Sequence, residues 1–158
     1  PLVMHFLEQG FSIDRIVIMV QKEVAERFTA LPGKKEYGAI TVSLHYYGSV
    51  RNAFVVPRQM FIPQPDVDSA VVDIQPWQEK PLIADDEELF HRLVKAAFGQ
   101  RRKTLNNALK TLKLDGELLQ SALAQCGIDG TRRGETLSVE EFVALSNTIS
   151  SLVLSQTK

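Results

Sequence analysis

Ile16-Val-Ile-Met-Val20 is an unbroken run of five apolar residues, four of them β-branched. Such side chains are stiff at χ1 and pack well on a pleated surface. A run without polar alternation therefore predicts a strand buried on both faces. A strand of that kind needs neighbours on both edges and a layer over each face. The surrounding residues supply only some of them. Leu2 to Gln9 has the spacing of a short helix stopped by Gly10, and Gln21 to Ala30 that of a second helix ended by Pro32-Gly33. Ala39 to Tyr47 alternates Ile40, Val42, Leu44 and Tyr46 against Thr41, Ser43, His45 and Tyr47, a strand pattern. Val67 to Ile74 is a third strand candidate. This order predicts a piece of an α/β sheet with too few strands, leaving Ile16–Val20 with an unpaired edge open to a second copy.

After Pro76 and Pro81 the period changes to 3.6 residues. Leu89, Phe90, Leu93, Val94, Ala97 and Phe98 form one helical stripe, preceded by Asp85, Asp86, Glu87 and Glu88 where the helix dipole favours acids. Leu105, Ala108, Leu109 and Leu112 form another, and Leu118, Leu119, Ala122 and Leu123 a third, ended by Gly127. The last opens with Ser138 and Glu141 at capping-box spacing and continues through Phe142, Leu145 and Ile149. The predicted organisation is an α/β portion over residues 1–77 and a small all-α domain over 84–158.

Composition excludes several classes. The 158 residues carry a net charge of −1 and a single cysteine, Cys126, so no internal disulfide exists and a reducing cytoplasm is expected. Three scattered histidines and one cysteine do not make a metal site, no apolar run is long enough to span a bilayer, and no signal peptide is visible. The chain opens on Pro1 and enters an apolar pattern at once, as a fragment does. The near-zero charge conceals an asymmetry: from Lys95 to Lys113 there are six basic residues and no acid. A local cluster of this kind matters more to a polyanion than the average.

Few segments can carry chemistry. In Phe61-Ile-Pro-Gln-Pro65 the two prolines fix the loop around Phe61, which can offer a platform for an unpaired base or close the edge of the sheet. On the residues alone, the second is the plainer use. Arg101, Arg102 and Lys103 are consecutive; on a helix they fan around three sides and suit several phosphates, with Lys110 and Lys113 extending the charge. A solvated helix face is the alternative. Glu23 with Arg27 and Lys22 with Glu26 have i,i+4 spacing and point to helix stability. Thr131-Arg-Arg-Gly-Glu135 is a turn whose Arg132 and Arg133 can meet phosphate or protein. Cys126 follows an apolar helical stripe and reads as core, and no glycine-rich cofactor loop occurs.

Taken in order, several of these segments resemble one family, the KsgA-type ribosomal RNA adenine dimethyltransferases. The resemblance rests on Met19-Val-Gln-Lys-Glu-Val-Ala-Glu-Arg27, Tyr37-Gly-Ala-Ile-Thr-Val42, Val56-Pro, Phe61 through Val72, Lys95 through Leu105, and Arg132 through Phe142. It implies the C-terminal portion of a class I, Rossmann-like methyltransferase sheet followed by a helical RNA-binding domain. It further implies dimethylation of two adjacent adenosines near the 3′ end of small-subunit ribosomal RNA during ribosome assembly. By the same resemblance, Phe61 stacks on the extruded target adenine. Arg101, Arg102, Lys103, Lys110 and Arg133 are then the expected RNA contacts. The methyl donor is S-adenosylmethionine, whose binding residues and Asn-Leu-Pro-Tyr base clamp should precede Pro1. These 158 residues are therefore expected to be inactive alone, and to bind RNA or the assembling subunit. The Erm-type large-subunit methyltransferases share the Phe-x-Pro-x-Pro pattern and are the sister alternative; a non-catalytic RNA-binding module is the other.

Overall fold

In the computed structural model, which describes residues 2–156, the chain divides into two units. One comprises the segment up to Leu31 with Glu36–Pro81; the other comprises Pro32–Lys35 with the segment from Leu82 onward.

The first unit is built from α1 (Leu2–Glu8), β1 (Ile16–Gln21), α2 (Lys22–Phe28), α3 (Ala39–Tyr47), β2 (Gly48–Val56) and β3 (Ser69–Pro76). The strands form one sheet in the order β1-β3-β2, with β3 antiparallel to both neighbours. Ile18 pairs with Val72 and Val20 with Ala70, while Val50 pairs with Ile74 on the other side of β3. Ala70, Val72 and Ile74 are fully buried, because α2 and α3 pack on that face.

Ala39–Tyr47 is a helix, not the strand its alternation predicts. Thr41, Val42, Leu44, Tyr46 and Tyr47 are all buried, so apolar positions run nearly around the helix. A helix covered on most sides lacks an amphipathic stripe, and its residues can mimic a two-residue period by chance. Thr41 fixes the start of the helix: its Oγ1 accepts from Gly38 N–H (3.1 Å) and donates to the Arg27 carbonyl (2.6 Å). The strand follows at once as β2, whose central Arg51 and Asn52 and irregular register between Asn52 and Phe54 break any clean alternation. The third strand begins at Ser69, two residues later than Val67.

β1 also departs from expectation. Ile16, Ile18 and Val20 are half-buried, but Val17 and Met19 are 58% and 54% exposed. Among the described residues the helices cover one face of the sheet, so the apolar run is enclosed on one side only. Among the described residues β1 is an edge strand that pairs with β3 alone.

The second unit contains α4 (Glu87–Gly99), α5 (Leu105–Ala108), α6 (Gly116–Gln125) and α7 (Val139–Gln156), with a 3₁₀ turn at Leu109–Leu112 extending α5. Asp86 caps α4 by accepting from Leu89 N–H at 2.9 Å, with Glu87 and Glu88 in the first turn. Asp115 caps α6 in the same way. Ser138 and Glu141 form the reciprocal box at the start of α7: Ser138 N–H donates to Glu141 Oε2 (2.9 Å), and Glu141 N–H donates to Ser138 Oγ (3.2 Å). Gly127 ends α6 at φ +65°. Phe90, Leu93, Leu109, Phe142, Leu145 and Ile149 are buried and form the core of this unit. The six residues cluster because each helix turns its apolar stripe inward.

Candidate nucleic-acid interface

In the first unit, Phe61 ends a single 3₁₀ turn at Arg58–Met60, and its N–H donates to the Arg58 carbonyl (3.3 Å). Arg58 holds the two ends of the loop together. Its backbone N–H donates to Asp68 Oδ1 and its guanidinium to the Asp66 carbonyl, each at 2.9 Å. Lys22 N–H donates to the Asp68 carbonyl (2.9 Å), which ties the loop to the junction of β1 and α2. Phe61 is half-buried, while Met60 and Ile62 beside it are exposed. An open cleft of about 570 Å³ lies between the base of this loop and α2, walled by Lys22, Glu23 and Glu26 and by Arg58, Asp66 and Asp68, and Phe61 does not line it. Charges of both signs line it. The expected surface pairs on α2 are present, Arg27 to Glu23 at 2.6 Å and Lys22 to Glu26 at 4.0 Å.

In the second unit, Arg101, Arg102 and Lys103 do not lie on a helix. They form the turn between α4 and α5, with Lys103 N–H donating to the Gln100 carbonyl (2.8 Å). Gly99 and Gln100 end α4 before the basic run starts, so the three side chains diverge from a turn instead of fanning around a helix axis. They also differ in state. Arg101 donates to the Lys35 carbonyl (2.6 Å) and to Glu135 Oε2 (3.3 Å). Arg102 and Lys103 are exposed and make no ion pair among the described residues.

The turn holding Arg132 and Arg133 is brought alongside. Leu105 N–H donates to the Arg132 carbonyl (2.8 Å) and Asn106 N–H to the Gly130 carbonyl (3.0 Å). Gly134 packs on α4 so closely that an added Cβ would sit 2.7 Å from the Ala97 carbonyl oxygen. Arg132 is committed internally, to Glu141 at 2.6 and 3.0 Å and to the Thr136 carbonyl at 2.7 Å. Donation from the Arg132 guanidinium to the Glu141 carboxylate raises the Arg132 pKa and lowers that of Glu141. Arg133 is exposed. Lys110 is exposed one turn further on and donates to Asn107 Oδ1 (3.1 Å).

Lys34 and Lys35 are not among the RNA contacts expected from sequence, yet their loop groups with this unit, and both are exposed. The contact of the Lys35 carbonyl with Arg101 spans 66 positions, which spacing along the chain cannot reveal. Arg92 and Lys95 likewise border a shallow groove of about 400 Å³ with Gln100 and Thr111.

Other reactive types are occupied structurally. Cys126 ends α6 with Sγ 3.2 Å from Thr148 Oγ1, and His45 Nε2 lies 3.0 Å from the Phe28 carbonyl oxygen. Among the described residues no group of His, Cys, Asp and Glu could hold a metal ion, and no helix is long and apolar enough to cross a membrane.

These features define a class: the C-terminal portion of a Rossmann-like methyltransferase fold, followed by a helical unit with an exposed basic turn. A dimethyladenosine transferase from Plasmodium falciparum shares the fold, with a TM-score of 0.82 at 22% identity, covering 96% of this chain and 63% of that one. The 23S rRNA methyltransferase ErmE shares it less closely, at 0.65 and 20%, covering 94% and 59%. The family model described as ribosomal RNA adenine dimethylase matches residues 1–151, and the chain belongs to that family. Relatives named ribosomal RNA small subunit methyltransferase A are 46% identical in Clostridioides difficile, over 99% of this chain, and 42% identical in Bacillus pumilus, over 94%. The chain spans about half the length of these relatives, 54% and 52%.

Proposed function

We propose that this chain is the RNA-facing part of an adenine N6,N6-dimethyltransferase acting on two adjacent adenosines near the 3′ end of small-subunit ribosomal RNA. The family match over residues 1–151 carries this reading, and the 46% identity to a relative named for the small subunit favours it over the large-subunit alternative. Phe61, on a loop braced by Arg58, stacks on the extruded adenine. Arg102, Lys103, Lys110 and Arg133 meet phosphates, and their exposure supports that role.

The donor is S-adenosylmethionine, but the described residues do not fit it. β1 passes directly into α2 at Gln21-Lys22, without the glycine turn that lets a backbone approach a cofactor. Donor binding thus falls to residues outside these 158, and the chain alone binds RNA without transferring methyl groups. The enzyme works in the cytoplasm on the assembling small subunit. The edge of β1, with exposed Val17 and Met19 beside it, also favours self-association of the chain in this form.

Labelled S-adenosylmethionine and unmodified small-subunit RNA test the reading. The 158-residue chain should bind the RNA and incorporate no label; a form extended N-terminally to the length of the relatives should dimethylate adenine N6. Transfer by the extended form to large-subunit RNA alone would overturn it.

A further inference from the structure

Arg101 has the least freedom of the three consecutive basic residues. Its guanidinium donates to the Lys35 carbonyl (2.6 Å) and to the Glu135 carboxylate (3.3 Å), and the Glu135 backbone carbonyl in turn accepts from Gly33 N–H (2.7 Å). Gly33, at φ +83°, adopts a conformation that other residues rarely reach and so turns the loop towards these partners. The outcome is a closed clasp: Arg101 and Glu135 each hold the Pro32–Lys35 loop by its backbone, leaving the side chains of Lys34 and Lys35 exposed. A planar fork can reach a carbonyl and a carboxylate together, whereas a lysine ammonium is a point charge. The Glu135 carboxylate offsets the Arg101 charge, so the clasp is flanked by exposed cations, Arg102 and Lys103 on one segment and Lys34 and Lys35 on the other, in addition to Arg133 in the neighbouring turn.

We propose that the Pro32–Lys35 loop is a second RNA-contacting element, in which Lys34 and Lys35 bind phosphates beside those bound by Arg102 and Lys103, and that Arg101 is a positioning residue for this loop and not itself a phosphate ligand. The proposal rests on the RNA-binding reading above. Phosphate contacts need cations at backbone spacing from more than one segment, because a polynucleotide curves past a protein and does not follow a single turn. The clasp adds a further such segment beside the basic turn.

The test measures binding of the whole chain to an unmodified transcript of the 3′ region of small-subunit RNA over a series of salt concentrations, with melting curves to check folding. Lys34→Gln/Lys35→Gln should flatten the slope of log K against log salt by about 1.4–1.8, the release expected for two phosphate contacts. Arg101→Gln should weaken binding in the parent, yet change it less than two-fold once both lysines have been replaced. Arg101→Lys, which keeps the charge but loses the fork, should resemble Arg101→Gln. Equal losses from Arg101→Gln in the parent and in the lysine-free background would show direct phosphate contact and overturn the positioning role. An unchanged slope in Lys34→Gln/Lys35→Gln, with Arg102→Gln/Lys103→Gln still weakened, would overturn the second element and leave the RNA-binding reading intact. No effect from either pair would overturn both.

Discussion

Arg51 directs Nη2 and Nε to the same oxygen of Asp73, Oδ2, at 2.6 and 2.9 Å, from the neighbouring strand of the sheet. The two residues are direct register partners on β2 and β3, and Val17 of β1 is the partner of Asp73 on its other side. Arg15 Nε reaches within 3.2 Å of Oδ1, an ion-pair distance without hydrogen-bond geometry. The carboxylate is 5% exposed, while the arginines are 65% and 55% exposed. Arg51→Ala should cost about 1–3 kcal/mol, since it strips a nearly buried carboxylate of its two hydrogen bonds. Arg15→Ala should cost less, about 0–1 kcal/mol, as expected for an exposed partner without a hydrogen bond. Urea titration of the two variants checks the order, and equal losses would contradict it.

Glu141 gives the helical unit a pH dependence. Hydrogen bonding to Arg132, then the Ser138 N–H, holds its carboxyl below the ordinary range against the opposing effect of burial. The folded state therefore binds fewer protons here than the unfolded chain. The associated stability is present above the unfolded value, about 4.3 for a glutamate, and is lost as pH falls through the lowered folded value. Glu141→Gln keeps an acceptor for the cap and should cost only about 0.5–1 kcal/mol near neutrality, while removing this contribution to acid sensitivity. Parallel urea titrations at about pH 7 and pH 3.5 should show parent and variant converging at the lower pH.

Gly48 is where α3 becomes β2 with no intervening loop. A Cβ at this position would lie 2.5 Å from the Gln75 carbonyl oxygen and 3.0 Å from the Pro76 Cα, both backbone atoms of the paired strand. Its φ of −169° is ordinary extended backbone, so the constraint is space. Gly48→Ala should destabilise the chain by about 1–3 kcal/mol, as overpacking does. An unchanged melting temperature would mean that β3 moves aside freely.

That junction also shows why part of the fold was hidden in the sequence. The helices after Pro81 were legible because each has one apolar stripe and its own signals: Asp86, the box of Ser138 and Glu141, and Gly127. α3 was not, because a helix buried on most sides has no stripe, and β2 was not, because an exposed strand with a central Arg-Asn has no apolar alternation. The exposure of Val17 and Met19 depends on which layers cover the sheet, which no property of the run itself encodes. At the candidate interface the basic residues were visible as a cluster, but their division of labour was not. Arg101 and Arg102 are chemically identical neighbours, and only the distant Glu135 and Lys35 distinguish them.

The exposed edge and face of β1 make self-association testable. Met19→Lys places a charge on the exposed face, where it costs the monomer little, and should reduce any concentration-dependent increase in sedimentation coefficient. A parent chain that sediments as a monomer at high concentration would rule out association through this strand.

Phe61 and the basic turn should separate in kinetics. Stacking on an unpaired base is worth roughly 1–3 kcal/mol by truncation, so Phe61→Ala in the N-terminally extended form should slow methyl transfer about 5- to 150-fold. Because Phe61 makes no phosphate contact in this scheme, the salt dependence of RNA binding should not change. Phe61→Tyr retains an aromatic face and should restore most of the rate. Arg102→Gln/Lys103→Gln should do the reverse, weakening RNA binding with a shallower salt slope while leaving the rate at saturating RNA nearly unchanged, since phosphate contacts made equally in the ground and transition states do not raise turnover. Phe61 is only half-buried, so Phe61→Ala should cost no more than about 1–2 kcal/mol in stability, and a melting curve separates that loss from the kinetic one. If Phe61→Tyr stays as slow as Phe61→Ala while folding normally, Phe61 is not the stacking platform, and closing the loop over the sheet becomes its role.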